Sequence, residues 1–316
     1  MTDKSNNNGR AFEFACLNEL KNYVQKFGKV VIVENSSYHA AANAYSKVDE
    51  SIQNNLIKSS EIAVQIIAEF EPMIFEDSED SLELQIQPDQ KGVEGDVRDI
   101  LISRNELQLG IGLSLKHNHE AAKHPRLSKN LDFGKSWYGI PCSLDYWNDV
   151  KGIFEYLEDH KGELWSSIPN KDQKIYIPLL KAFIKEINKA CLQDPSVPGK
   201  LVSYILGKHD FYKVVSQDAK KQVTVMPYNF HGTLNRQGEN TQAKTTLEIS
   251  LLPSEIIKIG FKLNSTNTVE MILDNEWAFN FRIHNASSKV ETSLKFDVTI
   301  DGQPATILNI KKNWKN

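Results

Sequence analysis

Two neighbouring segments carry an acid and a lysine where a reaction could use them. Residues 97–102 read VRDILI, so Asp99 stands at the entrance of an apolar run. Residues 108–116 alternate Leu109, Ile111, Leu113 and Leu115 with Gln108, Gly110, Gly112, Ser114 and Lys116. Strict alternation is the mark of a half-buried strand. One face is apolar and belongs to a core; the other shows two glycines, a serine and a lysine. Glycines inside a strand leave backbone bare, which suits the close approach of something large. A turn at SRNE would pair the two strands antiparallel and bring Asp99 near Ser114 and Lys116. An acid and a lysine on adjacent strands, with a glutamate on a packed helix, suit Mg²⁺-dependent phosphodiester hydrolysis. Carboxylate oxygens hold the hard cation. The cation polarises the phosphate and lowers the pKa of a water, and the lysine offsets the growing negative charge. A plain hairpin with a solvated acid and lysine would use the same residues.

The next stretch is basic: His117, Asn118, His119, Glu120, Lys123, His124, Arg126 and Lys129. The formal net charge of the 316 residues is −4, so the chain has no general affinity for polyanions. An anionic partner must be met by a local patch, and 116–129 is the one the sequence offers. The contiguous letters HNH at 117–119 are not the nuclease motif of that name, whose residues are spread over a ββ-helix element. The spacing of the histidines is not a standard metal set either.

These residues need elements to hold them. Leu17, Leu20 and Val24 recur at helical spacing, predicting a helix over 10–27 with N-cap residues around Asn8 and with Glu13 on its apolar face. A second helix is expected over 48–70. The acidic stretch 75–83 reads as a solvated loop without the organisation a cation site requires. Strands follow over 84–116, then helices near 143–160, 172–192 and 197–215. From 221 the pattern changes to short strands split by Asn, Gly, Ser and Pro, including TTLEISLL, IIKIGFKL, TVEMIL, WAFNFRIHN and SLKFDVTI. The fold expected is α/β, a mixed sheet flanked by helices with a β-rich C-terminal region. The organisation expected is 1–145 as a catalytic core, 146–220 as a helical region and 221–316 as a β-rich region suited to target recognition. Three scattered cysteines exclude a disulfide framework and a thiolate zinc site, and are expected to be buried. No apolar run reaches the roughly 18 residues of a membrane span, and MTDKSNNNGR has no signal-peptide core, so a cytoplasmic location is expected.

Three strings together resemble the HaeIII-type restriction endonucleases of the PD-(D/E)xK superfamily: SNNNGRAFEFACL, GDVRDILI and SLKHNHEAAKHPRLS. The resemblance runs over most of the chain and is strongest over 94–129. It implies cleavage of unmethylated double-stranded DNA at GGCC with Mg²⁺, and a cognate methyltransferase that protects the host. Asp99 takes the place of the first motif acid and Lys116 that of the motif lysine. Ser114 stands where Asp or Glu is usual, and a hydroxyl is a poor substitute for a carboxylate on Mg²⁺. The missing acid is then sought in Glu13, which matches the first-helix glutamate of the superfamily, in Glu120, or in Asp96 or Glu94. The implied metal set is Asp99, Glu13, Asp96 and the main chain of Leu115.

Guanine is read best by Arg or Lys, and cytosine by an acid. Candidate base readers are Arg126, the Asn235–Arg236–Gln237 cluster and the Arg282, His284, Asn285 cluster. His117, Asn118, His119, Lys123, His124 and Lys129 are assigned to DNA, and the lysines of this run grip phosphate, which positions without specifying. Palindromic sites are often cut by a two-fold dimer, although a monomer nicking twice serves as well. Two further readings remain open at this stage. One is a sequence-specific DNA-binding protein without catalysis. The other is a β-domain binder using Trp277, Phe279 and Phe281, whose alternation also fits a buried strand face.

Overall fold

The computed structural model describes residues 2–76, 79–88, 95–118 and 122–315. The chain divides into two compact units, and each draws on separate segments. The first comprises Met1–Glu120, Gly207–Ser250 and Ala305–Asn316; the second comprises Ala121–Leu206 and Leu251–Pro304. The architecture is the expected one: a mixed sheet flanked by helices, with a β-rich C-terminal region.

In the first unit, helix α1 (Thr2–Val24) buries Ala11, Phe12, Ala15, Cys16, Leu17, Leu20 and Val24 along one stripe. It starts earlier than expected, so Asn8 lies inside it and caps nothing. Strand β1 (Val30–Val33) and helix α2 (Ser36–Lys47) follow, neither of them anticipated. Asn35 caps α2 through Oδ1 and donates from Nδ2 to the Ile86 carbonyl at 2.9 Å, which pins the helix start to a strand end. Helix α3 (Glu50–Phe70) lies within the range expected for the second helix.

Strands β2 (Leu82–Ile86), β3 (Ile100–Arg104) and β4 (Leu109–His117) form an antiparallel run beside β1. The 197–215 helix is a correction. It splits into a short helix in the second unit and strand β6 (Phe211–Gln217), which lies parallel to β4 with Leu113 opposite Tyr212 and Ser114 opposite Lys213. Parallel neighbours need a long crossover, and here residues 118–210 supply it. Strands β7 (Gln222–Tyr228) and β12 (Ile310–Asn313) complete a seven-stranded order β1-β2-β3-β4-β6-β7-β12.

The acidic stretch is partly inside. Glu76 is buried and accepts hydrogen bonds from Thr241 and Asn240. Glu71, just past α3, is fully buried. Its Oε1 accepts from the Tyr212 hydroxyl at 2.6 Å and from Asn235 N at 2.8 Å, while Oε2 has no partner. Burial pushes this carboxyl up to about 7 against those bonds. A raised acid binds its proton more tightly folded than unfolded. Stability therefore falls as pH rises from about 4.3 to about 7, and stays lower above. Glu71→Gln is expected to raise unfolding free energy at pH ~8 by on the order of 2–3 kcal/mol and to change little at pH ~5. Urea unfolding at the two pH values reads this; equal effects at both would refute it.

The second unit holds a five-stranded antiparallel sheet. Its strands are β5 (Arg126–Ser128), β8 (Ile256–Phe261), β9 (Thr268–Leu273), β10 (Ala278–His284) and β11 (Ser293–Gly302), in the order β5-β11-β10-β9-β8. Residues 241–255, where TTLEISLL was expected as a strand, form none. Helices α4 (Phe133–Trp137), α5 (Leu144–Asp159), α6 (Ile177–Gln193) and α7 (Val197–Leu206) belong to this unit. Phe183 of α6 packs against Phe281 and Phe296 with ring centres 5.7 and 5.1 Å apart. Trp277, Phe279 and Phe281 are fully buried, so they build core and present no aromatic binding surface. Cys16 and Cys142 are buried and Cys191 half-buried, all with free thiols.

Candidate active site

Asp99 sits one residue before β3. Its N–H donates to the Leu113 carbonyl at 2.7 Å, and its carbonyl accepts from Gln87 N at 2.9 Å. Continuing the β3–β4 register by one residue sets Asp99 opposite Ser114. Its Oδ2 accepts from Leu115 N at 2.5 Å and lies 3.5 Å from Lys116 Nζ. Both side chains remain part exposed, 26% for Asp99 and 22% for Lys116, so a ligand can reach them. The structure thus joins Asp99, Leu115 and Lys116. In a strand the N–H and C=O of one residue point the same way. The Leu115 carbonyl therefore faces the Asp99 side as its N–H does. Ser114 is buried, 3% exposed.

The close approach foreseen at the glycines is made by the chain itself. A Cβ on Gly112 would fall 1.9 Å from Arg98 Cδ, so the Arg98 stem lies flat on the strand there, whereas a Cβ on Gly110 would meet nothing within 4 Å. Asp96 holds the guanidinium through Nε and Nη2, both at 2.7 Å, and also accepts from Gln87 Nε2 at 3.0 Å. Burial alone would raise the Asp96 carboxyl, but Arg98 and Gln87 outweigh it and hold it at about 2. A depressed acid stabilises the fold above its ordinary pKa of about 3.9 and loses that stabilisation as pH falls toward about 2. Asp96→Asn is expected to flatten this part of the acid limb. Denaturant unfolding from about pH 4 to about pH 2 checks it, and an unchanged limb would refute it.

Glu13 lines a cavity of about 280 Å³ with Arg10, Ser36, Ser37, Ala40, Gln87 and Pro88. Gln87 links that cavity to the centre, because it bonds the Asp99 carbonyl through its backbone and Asp96 through its side chain. Glu94, His119 and Glu120 lie outside the described residues. Among the described residues no three His, Cys, Asp or Glu side chains converge. The donors that do lie here are carboxylate and carbonyl oxygens, which suits Mg²⁺. That ion takes one or two carboxylates and keeps waters and substrate phosphate for the rest.

The basic run is divided between the units. His117 is 7% exposed, with Nε2 2.9 Å from Asp218 and its ring against Phe12. Asn118 adopts φ +58° and accepts from Asp218 N at 2.9 Å. Both close the end of β4 onto residue 218. In the second unit, Lys123 donates to the Tyr204 carbonyl at 2.6 Å and lies 3.7 Å over that ring. His124 meets Asp297 at 2.9 Å, Arg126 meets Glu291 at 2.6 Å, and Lys129 meets Glu158 at 2.5 Å. Arg282 is exposed on the outer sheet face, 2.6 Å from Asp297, with His284 3.6 Å from the same acid.

In the first unit, Arg236 donates to the Gln108 carbonyl at 2.9 Å. Gln237 is engaged by Asn235 O and Ala243 N. Asn235 is buried and ties together Phe70, Thr245 and Leu247. Asn285 likewise holds its own 287–291 turn.

Lys213 was missed. Its pairing with Ser114 in the parallel ladder puts it on the Ser114 face, and it is 6% exposed. The run FYKVVSQ, aromatic and β-branched after Gly207, is the signal that points to this strand.

Residues 9–304 match the model of the HaeIII restriction endonuclease family. The chain belongs to this family. A relative, the type II restriction enzyme HaeIII of Haemophilus aegyptius, is 44% identical over 318 residues, covering 100% of each chain. No solved structure matches the chain. As a member of the HaeIII family the chain is a type II restriction endonuclease, a site-specific deoxyribonuclease acting on double-stranded DNA. Among the described residues no helix is long and apolar enough to cross a membrane.

Proposed function

We propose that this enzyme hydrolyses a phosphodiester of unmethylated double-stranded DNA at GGCC, with Mg²⁺, on the Asp99–Lys116 face. The observation that carries the reading is Asp99 Oδ2 set against both Leu115 N and Lys116 Nζ on the next strand. Asp99, the Leu115 carbonyl and Glu13 are the oxygen donors that would hold Mg²⁺, which supplies a Lewis acid for the phosphate and a water of lowered pKa.

The chain's own residues do the rest. Asp99 is fixed by main-chain bonds to β2 and β4, so its carboxylate is preorganised. Lys116 offers its ammonium to the non-bridging phosphate oxygen whose charge grows as the water oxygen bonds to phosphorus. The attacking water gives up a proton to solvent, the bond from phosphorus to the leaving sugar oxygen breaks, and that oxygen takes up a proton from solvent, which reaches this part-exposed face. Ser114 supplies no carboxylate, so the second acid comes from elsewhere, with Glu13 first, Glu120 next and Asp96 third. Asp96 is the least suited, because Arg98 occupies both of its oxygens.

Arg126, Arg236, Gln237 and Arg282 are the proposed base readers. Asn118, His119, Lys123, His124 and Lys129 are the residues proposed to meet the backbone; His117 is buried against Phe12 and held by Asp218, so it leaves that set. The GGCC target is what the family resemblance implies. A cytoplasmic enzyme of this kind requires a cognate DNA methyltransferase, and a two-fold dimer would give each strand its own catalytic centre.

Ser114 in the usual acid position keeps one rival reading in view, a DNA-binding protein that does not cut. Incubating the protein with unmethylated plasmid and Mg²⁺ separates the two. Discrete fragments that disappear when the GGCC sites are methylated are expected; DNA intact in both Mg²⁺ and Mn²⁺ would leave the binding reading.

A further inference from the structure

Beside the Asp99–Lys116 face, two glycine-hinged loops and a third segment bring basic side chains together. Gly95 and Gly207 both have left-handed backbones, φ +90° and +106°. A Cβ on Gly207 would stand 2.7 Å from Val97 Cγ2, and one on Gly95 would stand 3.3 Å from Lys208 Cε. The glycines therefore let 95–98 and 207–210 lie directly on each other, joined by Lys208 N to the Gly95 carbonyl at 3.4 Å.

Asp210 fixes the third segment. Its carboxylate accepts from Phe230 N at 2.6 Å, His231 N at 3.0 Å and Thr233 N at 2.9 Å. His231 Nε2 lies 3.1 Å from the Lys208 carbonyl. A carbonyl can only accept, so that nitrogen carries a proton, and Nδ1 can donate to a phosphate only when it is protonated as well. Lys208, His209 and His231 are exposed. Burial and then the Arg98 charge push the His209 imidazole below its ordinary value, as expected for a ring beside that guanidinium. Lys208 forms no ion pair among the described residues. Arg98, the chain neighbour of Asp99, is aimed by Asp96 and laid across Gly112.

We propose that Arg98, Lys208, His209 and His231 form a backbone clamp that takes DNA phosphates next to the scissile one. The proposal rests on the reading of Asp99 and Lys116 as the cutting centre. The cluster lies within the same unit as that centre and starts one residue from it. Lys208 and Arg98 carry its standing charge on short, crossed loops, so those two cations are set before DNA arrives, while the imidazoles add charge only when protonated. Arg and Lys also read guanine, so comparing duplexes with and without the target separates a grip on the strand from a base contact.

The test is DNA affinity in Ca²⁺ over a salt series, with duplexes that contain or lack the target. Lys208→Gln is expected to weaken both duplexes alike and to make the slope of log K against log salt shallower by about 0.9, one phosphate contact. Lys47→Gln, an exposed lysine at the end of α2, is the control and is expected to keep the slope of the unsubstituted enzyme. An unchanged slope for Lys208→Gln, a loss confined to the target duplex, or an equal loss in Lys47→Gln would overturn the clamp. Failure of the cutting centre reads differently: Lys116→Ala would then still cleave, whatever the Lys208→Gln slope.

Discussion

Lys116→Ala is expected to slow DNA cleavage by roughly 10²- to 10³-fold, the usual loss when one preorganised charge donor to the transition state is removed. Binding of the target duplex in Ca²⁺ should stay close to that of the unsubstituted enzyme. The Lys116 ammonium is part exposed and its contact with Asp99 is long, 3.5 Å, so the pair adds little to stability and truncation should leave the fold intact. Single-turnover cleavage and Ca²⁺ binding, measured on one preparation, separate chemistry from affinity. Cleavage at the unsubstituted rate would remove Lys116 from the reaction.

Asp99→Asn is expected to lower the rate by at least about 10²-fold and to raise the Mg²⁺ needed for half-maximal cleavage. The amide oxygen can still accept from Leu115 N, so the strand entrance keeps its bond. The negative charge that a hard cation requires is lost. A melt close to that of the parent enzyme, together with the shifted Mg²⁺ dependence, would assign the loss to metal and chemistry. An unchanged Mg²⁺ requirement would show that Asp99 does not hold the ion.

The two site strands were legible because the first is a short apolar run, the second alternates strictly and the turn between them is short. The same parity places His117 on the face of Leu113 and Leu115, and the structure buries it there against Phe12. Its place in a basic run concealed this. The glycines on the other face did signal a close approach, but composition could not show that Arg98, fourteen residues earlier in sequence, was what approached Gly112.

β6 was hidden for a different reason. Apolar spacing continues from α7 past Gly207, and only the left-handed backbone of that glycine ends the helix before Phe211. Its pairing with β4 spans a crossover of more than ninety residues, 118–210, and no local pattern encodes such a contact. Lys213 was lost with the strand that carries it. Glu76 likewise looked solvated among its acidic neighbours, because the Thr241 and Asn240 partners that bury it come from a distant loop.

The most direct test of the catalytic centre is a crystal structure of the enzyme with a GGCC duplex and Ca²⁺ in place of Mg²⁺, which holds the complex uncut. A Ca²⁺ ion about 2.3–2.6 Å from an Asp99 carboxylate oxygen, with Lys116 Nζ on the scissile phosphate, is the expected result. An ion bound elsewhere, with Asp99 still engaged only by Leu115 and Lys116 and the DNA on another surface, would contradict it.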